Sequence, residues 1–275
     1  MNLEVLRQDS RVRAADWTVR EWSQIVQAVC GLSHMDQLLS PQSALSNSQV
    51  EQVLALAARA QEGEPLGYLL GWTYFDALRL TLTPDVLIPR PDTEVLLHAA
   101  LAQMQSTKPQ SVLDVCTGSG ALALALKARS PALSVTGADI SPNAIDVARA
   151  NGDHLSLSVN WVVTDLFEGL GQFDLIVCNP PYIDPNDDRV EPSVRDYEPA
   201  LALFAEKEGL AVIERILERA SCHLQFGGVL LLEHGPEQHG RIATSARKLG
   251  WDVLACVPDL AGRDRVTTMR AVDDR

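Results

Sequence analysis

The sequence predicts an α/β fold with a mostly parallel sheet, preceded by a smaller helical region. Three observations carry that prediction. From residue 111 onward, short apolar runs alternate with stretches of helical periodicity, the pattern of repeated strand–helix–strand units. Residues 1–70 show helical patterning and no strand-like alternation. Between the two, Leu78, Leu80 and Leu82 alternate with Arg79 and Thr81, the period of a half-buried strand.

The elements follow in order. Thr18 and Glu21 have capping-box spacing and open one helix; Ser48 and Glu51 have the same spacing and open another, through Val53, Leu54, Leu56 and Ala57. Pro41 and the Ser/Asn-rich stretch at 43–48 separate the helices. After the strand at 78–82, Pro84-Asp85 turns the chain into Val86-Leu87-Ile88, which predicts a β-hairpin joining two domains. Pro89, Pro91 and Asp92 then lead into a helix from about Thr93. Strands are expected at 111–115, 134–140, 159–164, 173–178, 228–233, 251–257 and 266–271. Helices are expected at 121–129, 142–151, 208–224 and 236–249. The helix at 142 has Ser141 as N-cap and Pro142 at its first position. The resulting division is 1–72 helical, 73–92 a hairpin linker and 93–275 the α/β domain.

Composition limits function. At 275 residues the chain suits one large or two modest domains and needs no metal or disulfide staple. The net charge is −13, a poor match to the counterion release that drives sequence-independent nucleic-acid binding. Five arginines against eight carboxylates in residues 1–75 leave −3 there and −10 beyond. No run reaches the roughly 18 apolar residues of a membrane span, and the opening MNLEVLRQDSRVRAADW lacks a signal peptide's apolar core. The five cysteines are scattered and form no CxxC, as expected of reduced thiols in the cytoplasm. The six histidines show no ligand spacing, so no metal site is expected.

Two stretches carry chemistry. The first is Val112-Leu-Asp-Val-Cys-Thr-Gly-Ser-Gly-Ala-Leu-Ala123, which sets Gly118, Gly120 and Ala123 as GxGxxA between a strand and a helix. Glycines there permit a tight turn and close backbone approach to a ligand. A tight connection with no ligand is the alternative. Asp139 ends the next strand, 21 residues after Gly118, where a carboxylate can accept from both ribose hydroxyls. Asp114 just before the loop suits a cation better than a pyrophosphate, which points to S-adenosylmethionine rather than NAD; Asp114 can equally cap nearby amides. Asp165 and Leu166, after the third strand, can bracket an adenine.

The second stretch is Asn179-Pro180-Pro181-Tyr182, at the carboxyl end of the fourth strand. Proline has no N–H, so the turn presents acceptors. The Asn179 side-chain oxygen and the Pro180 carbonyl can each accept one hydrogen of a planar NH2 group, and Tyr182 can stack on it. That suits methylation of an amide or aromatic amine, whose lone pair is delocalised and whose nitrogen gains charge in the transition state.

Together these motifs resemble Rossmann-type methyltransferases that act on amino groups, a class with DNA amine and protein glutamine members. Further stretches resemble one family, the PrmC (HemK) release factor glutamine methyltransferases. They are Gly63-Glu-Pro-Leu-Gly-Tyr-Leu-Leu-Gly71, Leu87-Ile-Pro-Arg-Pro-Asp-Thr-Glu94, Tyr197-Glu-Pro-Ala-Leu-Ala-Leu-Phe204, Leu232-Glu-His-Gly235 and Asp259-Leu-Ala-Gly-Arg-Asp-Arg265. The resemblance runs from about residue 59, and the helical N-terminus fits the family's small N-terminal domain. It implies a class I S-adenosylmethionine-dependent fold with a seven-stranded sheet. It also implies methyl transfer to the side-chain amide nitrogen of the glutamine in the Gly-Gly-Gln motif of class I peptide-chain release factors.

Carried onto this chain, the resemblance implies a cofactor loop of Cys116, Thr117, Gly118, Ser119 and Gly120 after Asp114, with Asp139 on the ribose and Leu166 near the adenine. Asn179, Pro180, Pro181 and Tyr182 would hold the glutamine. Residues 1–72 and the hairpin would help grip the release factor. From the charge and the lack of a long apolar run, no direct nucleic-acid or membrane contact is expected, and a monomer is expected. Cys116 stands where the family often has glycine. A sister family acting on glutamine of a ribosomal protein often carries a DxCTGSG loop like this one, whereas the Leu-Glu-His-Gly and Asp-Leu-Ala-Gly-Arg-Asp-Arg stretches favour the release factor branch. A DNA amine methyltransferase and a non-catalytic cofactor-binding module are the remaining alternatives.

Overall fold

The structure is a computed structural model that describes residues 1–272. Its contacts divide the chain into two compact units. One holds Met1–Trp72 and Glu191–Tyr197; the other holds Thr73–Val190 and the chain from Glu198 on.

The first unit is helical: α1 (Leu3–Gln8), α2 (Ser10–Arg13), α3 (Val19–Cys30), α4 (His34–Leu39), α5 (Asn47–Gln61) and α6 (Leu66–Leu70). Thr18 and Glu21 form the expected capping box. The second predicted cap is corrected. Ser46 and Gln49 form the box, and Ser48 and Glu51 lie inside α5. The frame is set by apolar neighbours. With Ser46 as cap, buried Leu45 and half-buried Val50 fall at the two positions that staple a helix start; with Ser48, polar Asn47 would take the first of them. Leu3, Leu6, Val12, Trp22, Ile25, Val26 and Val53 complete this core.

The second unit is built on β1 (Trp72–Phe75), β2 (Leu78–Thr81), α7 (Thr93–Thr107), β3 (Ser111–Val115), α8 (Ala121–Arg129), β4 (Ser134–Asp139), α9 (Pro142–Leu155), β5 (Asn160–Val163) and β6 (Phe173–Cys178). After α10 (Pro192–Tyr197), which groups with the first unit, come α11 (Ala200–Leu203), α12 (Ala211–Arg219), a 3-10 turn (Ala220–His223), β7 (Leu224–Glu233), α13 (His239–Lys248), β8 (Trp251–Pro258) and β9 (Asp264–Ala271). In the first unit, the Tyr197 hydroxyl donates to the Glu62 carbonyl at 3.1 Å.

The hairpin lies one strand earlier than expected. β1 pairs β2 through Asp76-Ala77, with Asp76 in the left-handed region (φ 49°), whereas Val86–Ile88 form no strand. Flanking prolines withhold ladder donors there, and the Ile88 N–H donates instead to the Glu198 carboxylate at 3.2 Å. The helix predicted at 208–224 starts at Ala211, because Lys207, Glu208 and Gly209 all have left-handed φ. The one predicted at 236–249 starts at His239.

The main sheet has the order β5-β4-β3-β6-β7-β9-β8, parallel through β7, with β9 antiparallel to both its neighbours. Both faces are covered. Val112, Leu175, Val177, Val229 and Leu231 face one core; Leu113, Val115, Ile176, Cys178, Leu230 and Leu232 face the other. That is why these strands read as unbroken apolar runs. All of Ala121–Leu126 in α8 is buried. The Trp161 indole explains two glycines: a Cβ on Gly137 would meet it at 2.4 Å and one on Gly120 at 2.8 Å.

Candidate functional site

Sheet order brings the two predicted motifs together. β3 and β6 are neighbours, with Val115 opposite Cys178. The next residue on each, Cys116 and Asn179, therefore leaves the sheet beside the other. From β3 the chain winds outward through β4 and β5; from β6 it winds the opposite way through β7. Open α/β sheets bind ligands at such a reversal, outside the strands' carboxyl ends. A cavity of 310 Å³ lies there.

Of the predicted site residues, Cys116, Thr117, Gly118, Ser119, Asp139, Leu166, Asn179 and Pro181 line this cavity; Asp114, Gly120, Pro180 and Tyr182 do not. Asp114 is buried behind the loop. Its Oδ2 accepts from the Thr117 hydroxyl at 2.6 Å and the Ala123 N–H at 3.1 Å, so it braces the loop and the start of α8. Its Oδ1 has no partner, and burial pushes the carboxyl up to about 7. Gly120 starts α8 at φ 81° against Trp161. Cys116 holds φ 59°, a glycine-like conformation carried by a side chain.

Asp139 ends β4 with one oxygen receiving the Gly118 N–H at 2.9 Å and the other the Ser141 N–H at 3.0 Å. Burial raises its pKa and these amides oppose the rise. Each oxygen keeps acceptor capacity for a hydroxyl. Leu166 and the half-exposed Ile140 supply an apolar wall. The charged lining is Asp85, Asp139, Asp165 and Arg215, and Arg215 already pairs with Asp165 at 2.5 Å. Among the described residues the one lining cation, Arg215, is neutralised, and such a net-acidic pocket fits a cationic nucleoside such as S-adenosylmethionine and disfavours a pyrophosphate.

The Asn-Pro-Pro-Tyr turn is held from distant parts of the chain. Asn179 donates its side-chain N–H to the Thr93 hydroxyl at 3.1 Å. The Tyr182 hydroxyl donates to Glu233 Oε1 at 3.1 Å, so the phenol faces inward; burial keeps it protonated well above its ordinary range. The Tyr182 carbonyl accepts from Gln238 Nε2 at 2.9 Å and abuts Gly209, where a Cβ would lie 2.0 Å from that oxygen. Glu233 ends β7, fully buried with Oε2 unpartnered. Burial raises its carboxyl to about 7 against the opposing hydroxyls of Thr93 and Tyr182 and the Arg265 charge. Arg265 is clamped by Asp92 at 3.1 Å and Asp259 at 3.3 Å.

Sequence reasoning assigned no role to Thr93, Gly209, Glu233, Gln238 or Arg265. One signal was available: Glu233 closes an apolar strand, as Asp114 and Asp139 close or nearly close theirs. The fold also gathers His234, His239 and Cys256 within 4.8 Å, which no spacing in the sequence suggests. Both rings there already bond the Thr267 hydroxyl, at 2.8 and 2.9 Å. Among the described residues no helix is long and apolar enough to cross a membrane.

Known proteins resemble the chain along most of its length. Residues 9–71 match the PrmC N-terminal domain family, and residues 92–194 match the methyltransferase small domain family. The release factor glutamine methyltransferase of Salmonella typhimurium is 36% identical over 264 residues, 95% of each chain. That of Deinococcus radiodurans is 44% identical over 209 residues, 75% of this chain and 74% of its own. A solved methyltransferase from Pyrococcus furiosus superposes with a TM-score of 0.52 at 19% identity, covering 82% of this chain and 98% of that one. At that identity the likeness speaks to the fold alone.

Proposed function

The chain belongs to the release factor glutamine methyltransferase family, and we propose that it methylates the side-chain amide nitrogen of the glutamine in the Gly-Gly-Gln motif of class I release factors. The observation that carries this reading is Asn179. Its amide N–H is engaged by Thr93 at the wall of a net-acidic cavity, which leaves its oxygen for a substrate amide.

S-adenosylmethionine bound beside it supplies an electrophilic methyl group on a sulfonium. Asp139 would hold the ribose through its remaining acceptor capacity, Leu166 would give the adenine an apolar neighbour, and Cys116, Thr117, Gly118 and Ser119 would line the rest of the site. Asn179 Oδ1 and the Pro180 carbonyl each accept one hydrogen of the glutamine NH2. Holding both hydrogens fixes the nitrogen's plane and favours the positive charge it gains during transfer. Alignment in the cavity supplies the proximity contribution. No base has to remove a proton beforehand, since the proton becomes acidic only once the methyl has arrived. Pro181 stiffens the turn, and Tyr182, anchored inward on Glu233, holds the turn in place. The helical unit is assigned to gripping the release factor. Its α4 carries Met35, Leu38 and Leu39, each more than half exposed, which suits an apolar contact with a protein.

The test is incubation with methyl-labelled S-adenosylmethionine and an unmodified release factor, read by mass spectrometry. One methyl on the Gly-Gly-Gln glutamine is expected. Label confined to a ribosomal protein or to DNA would overturn the assignment. Asn179→Ala is expected to lower kcat by about 10²–10³-fold while cofactor affinity stays within a few-fold.

A further inference from the structure

An asparagine amide shows a ligand either its oxygen or its NH2, depending on a half-turn about its last side-chain bond. Only the oxygen serves an amide substrate, so something has to fix the sense of Asn179. Its NH2 points to the hydroxyl of Thr93, 3.1 Å away. Thr93 is the first residue of α7, is 5% exposed, and lines the same cavity. A hydroxyl has one proton, so toward Asn179 it can act as donor or as acceptor. Next to Thr93 lies the carboxylate of Glu233, fully buried, with Oε2 unpartnered and Oε1 already receiving the Tyr182 phenol. An ionised carboxylate can only accept. Its charge acts on the neighbouring Thr93 hydroxyl and favours the orientation that turns the proton toward the carboxylate and the lone pairs toward Asn179.

We propose that Thr93 and Glu233 are positioning residues for methyl transfer, which lock the Asn179 amide with its oxygen toward the substrate nitrogen. The inference rests on the amide-holding role assigned to Asn179 above.

The lock depends on the charge of Glu233. The titratable and charged groups facing that carboxyl are Asp92 beside α7, Tyr182 after β6 and Arg265 on β9. Arg265 favours ionised Glu233, Asp92 opposes it, and burial outweighs both, raising the carboxyl to about 7. Once protonated, Glu233 can donate to Thr93. The Thr93 proton is then free to turn to Asn179, and the amide loses its fixed sense. The lock is therefore engaged above about pH 7 and released below it.

Two readouts test this. In protein carrying ¹⁵N-asparagine, the Asn179 side-chain amide signal, assigned with Asn179→Ala, should titrate near pH 7 in the wild type. It should not titrate in Glu233→Gln, should shift in Thr93→Val, and should return in Thr93→Ser. In methyl transfer, Thr93→Val should lower kcat about 10- to 100-fold with unchanged melting temperature and cofactor affinity. Thr93→Ser should restore kcat, and Glu233→Gln should remove the acid limb of the pH profile. An Asn179 signal indifferent to both Thr93→Val and Glu233→Gln, in protein that methylates normally, would overturn the lock and leave the substrate assignment standing. If the wild type moves no methyl to a release factor while its Asn179 signal titrates and responds to the variants, the lock stands and the substrate assignment falls.

Discussion

The glycine loop after β3 and the Asn-Pro-Pro-Tyr turn after β6 leave neighbouring strands side by side, yet they are held in opposite ways. The glycine loop is braced by its own neighbourhood. Asp114 reaches Thr117 and Ala123, three and nine residues on, and Asp139 holds Gly118 from the next strand. The Asn-Pro-Pro-Tyr turn is braced by groups 51 to 86 residues away: Glu233, Gln238 and Thr93. Each stands near a buried carboxyl raised to about 7, Asp114 behind one and Glu233 behind the other. The cofactor wall is thus a local structure, and the substrate turn is an assembled one.

That contrast predicts separable damage. Gly209→Ala should have the largest effect on stability, because it forces a Cβ into the Tyr182 carbonyl at a left-handed φ. A loss of about 2–4 kcal/mol in denaturant unfolding is expected. The fall in kcat should far exceed any fall in cofactor affinity measured by calorimetry. Equal losses in both would show that the two loops are one mechanical unit, which breaks the contrast.

Asp114→Asn sharpens it from the other side. A carboxyl raised in the folded state above its ordinary 3.8 stabilises the fold below that value, and the stabilisation is lost as pH rises through about 7. Asparagine keeps an acceptor for Thr117 and Ala123 and cannot ionise. The variant should therefore gain about 1–3 kcal/mol on the wild type at pH 8 and lose that gain by pH 4. A difference that does not change with pH would show that Asp114 ionises freely in the fold.

The smallest effect should come from Cys116→Gly. It relieves a left-handed φ but removes a half-buried side chain packed on the core, and the two nearly offset. A stability change within about 1 kcal/mol is expected, with cofactor affinity unchanged. A large loss would mean that the thiol, rather than the backbone, shapes the loop.

The same division explains what could be read early. Strands β3 and β6 and helix α8 fall at their expected bounds, because unbroken apolar runs and a glycine punctuation mark them. The α5 cap slipped by two residues because two Ser/x/x pairs overlap, and only the staple of Leu45 and Val50 separates them. The hairpin slipped by one strand because the local alternation at 78–82 names a strand but not its partner. The sequence leaves Asp114 open to cation binding or capping; the fold buries it behind the cavity wall as a brace.

By itself the sequence determined the α/β alternation, the glycine loop, Asp139 and the acceptor-rich turn, since each depends on residues near one another along the chain. Only the tertiary structure decided that Thr93, Glu233 and Gln238 stand behind Asn179 and Tyr182. Their partners are set by sheet order and by the placement of α7 and β7, and a buried carboxylate finds its donors in space rather than in sequence.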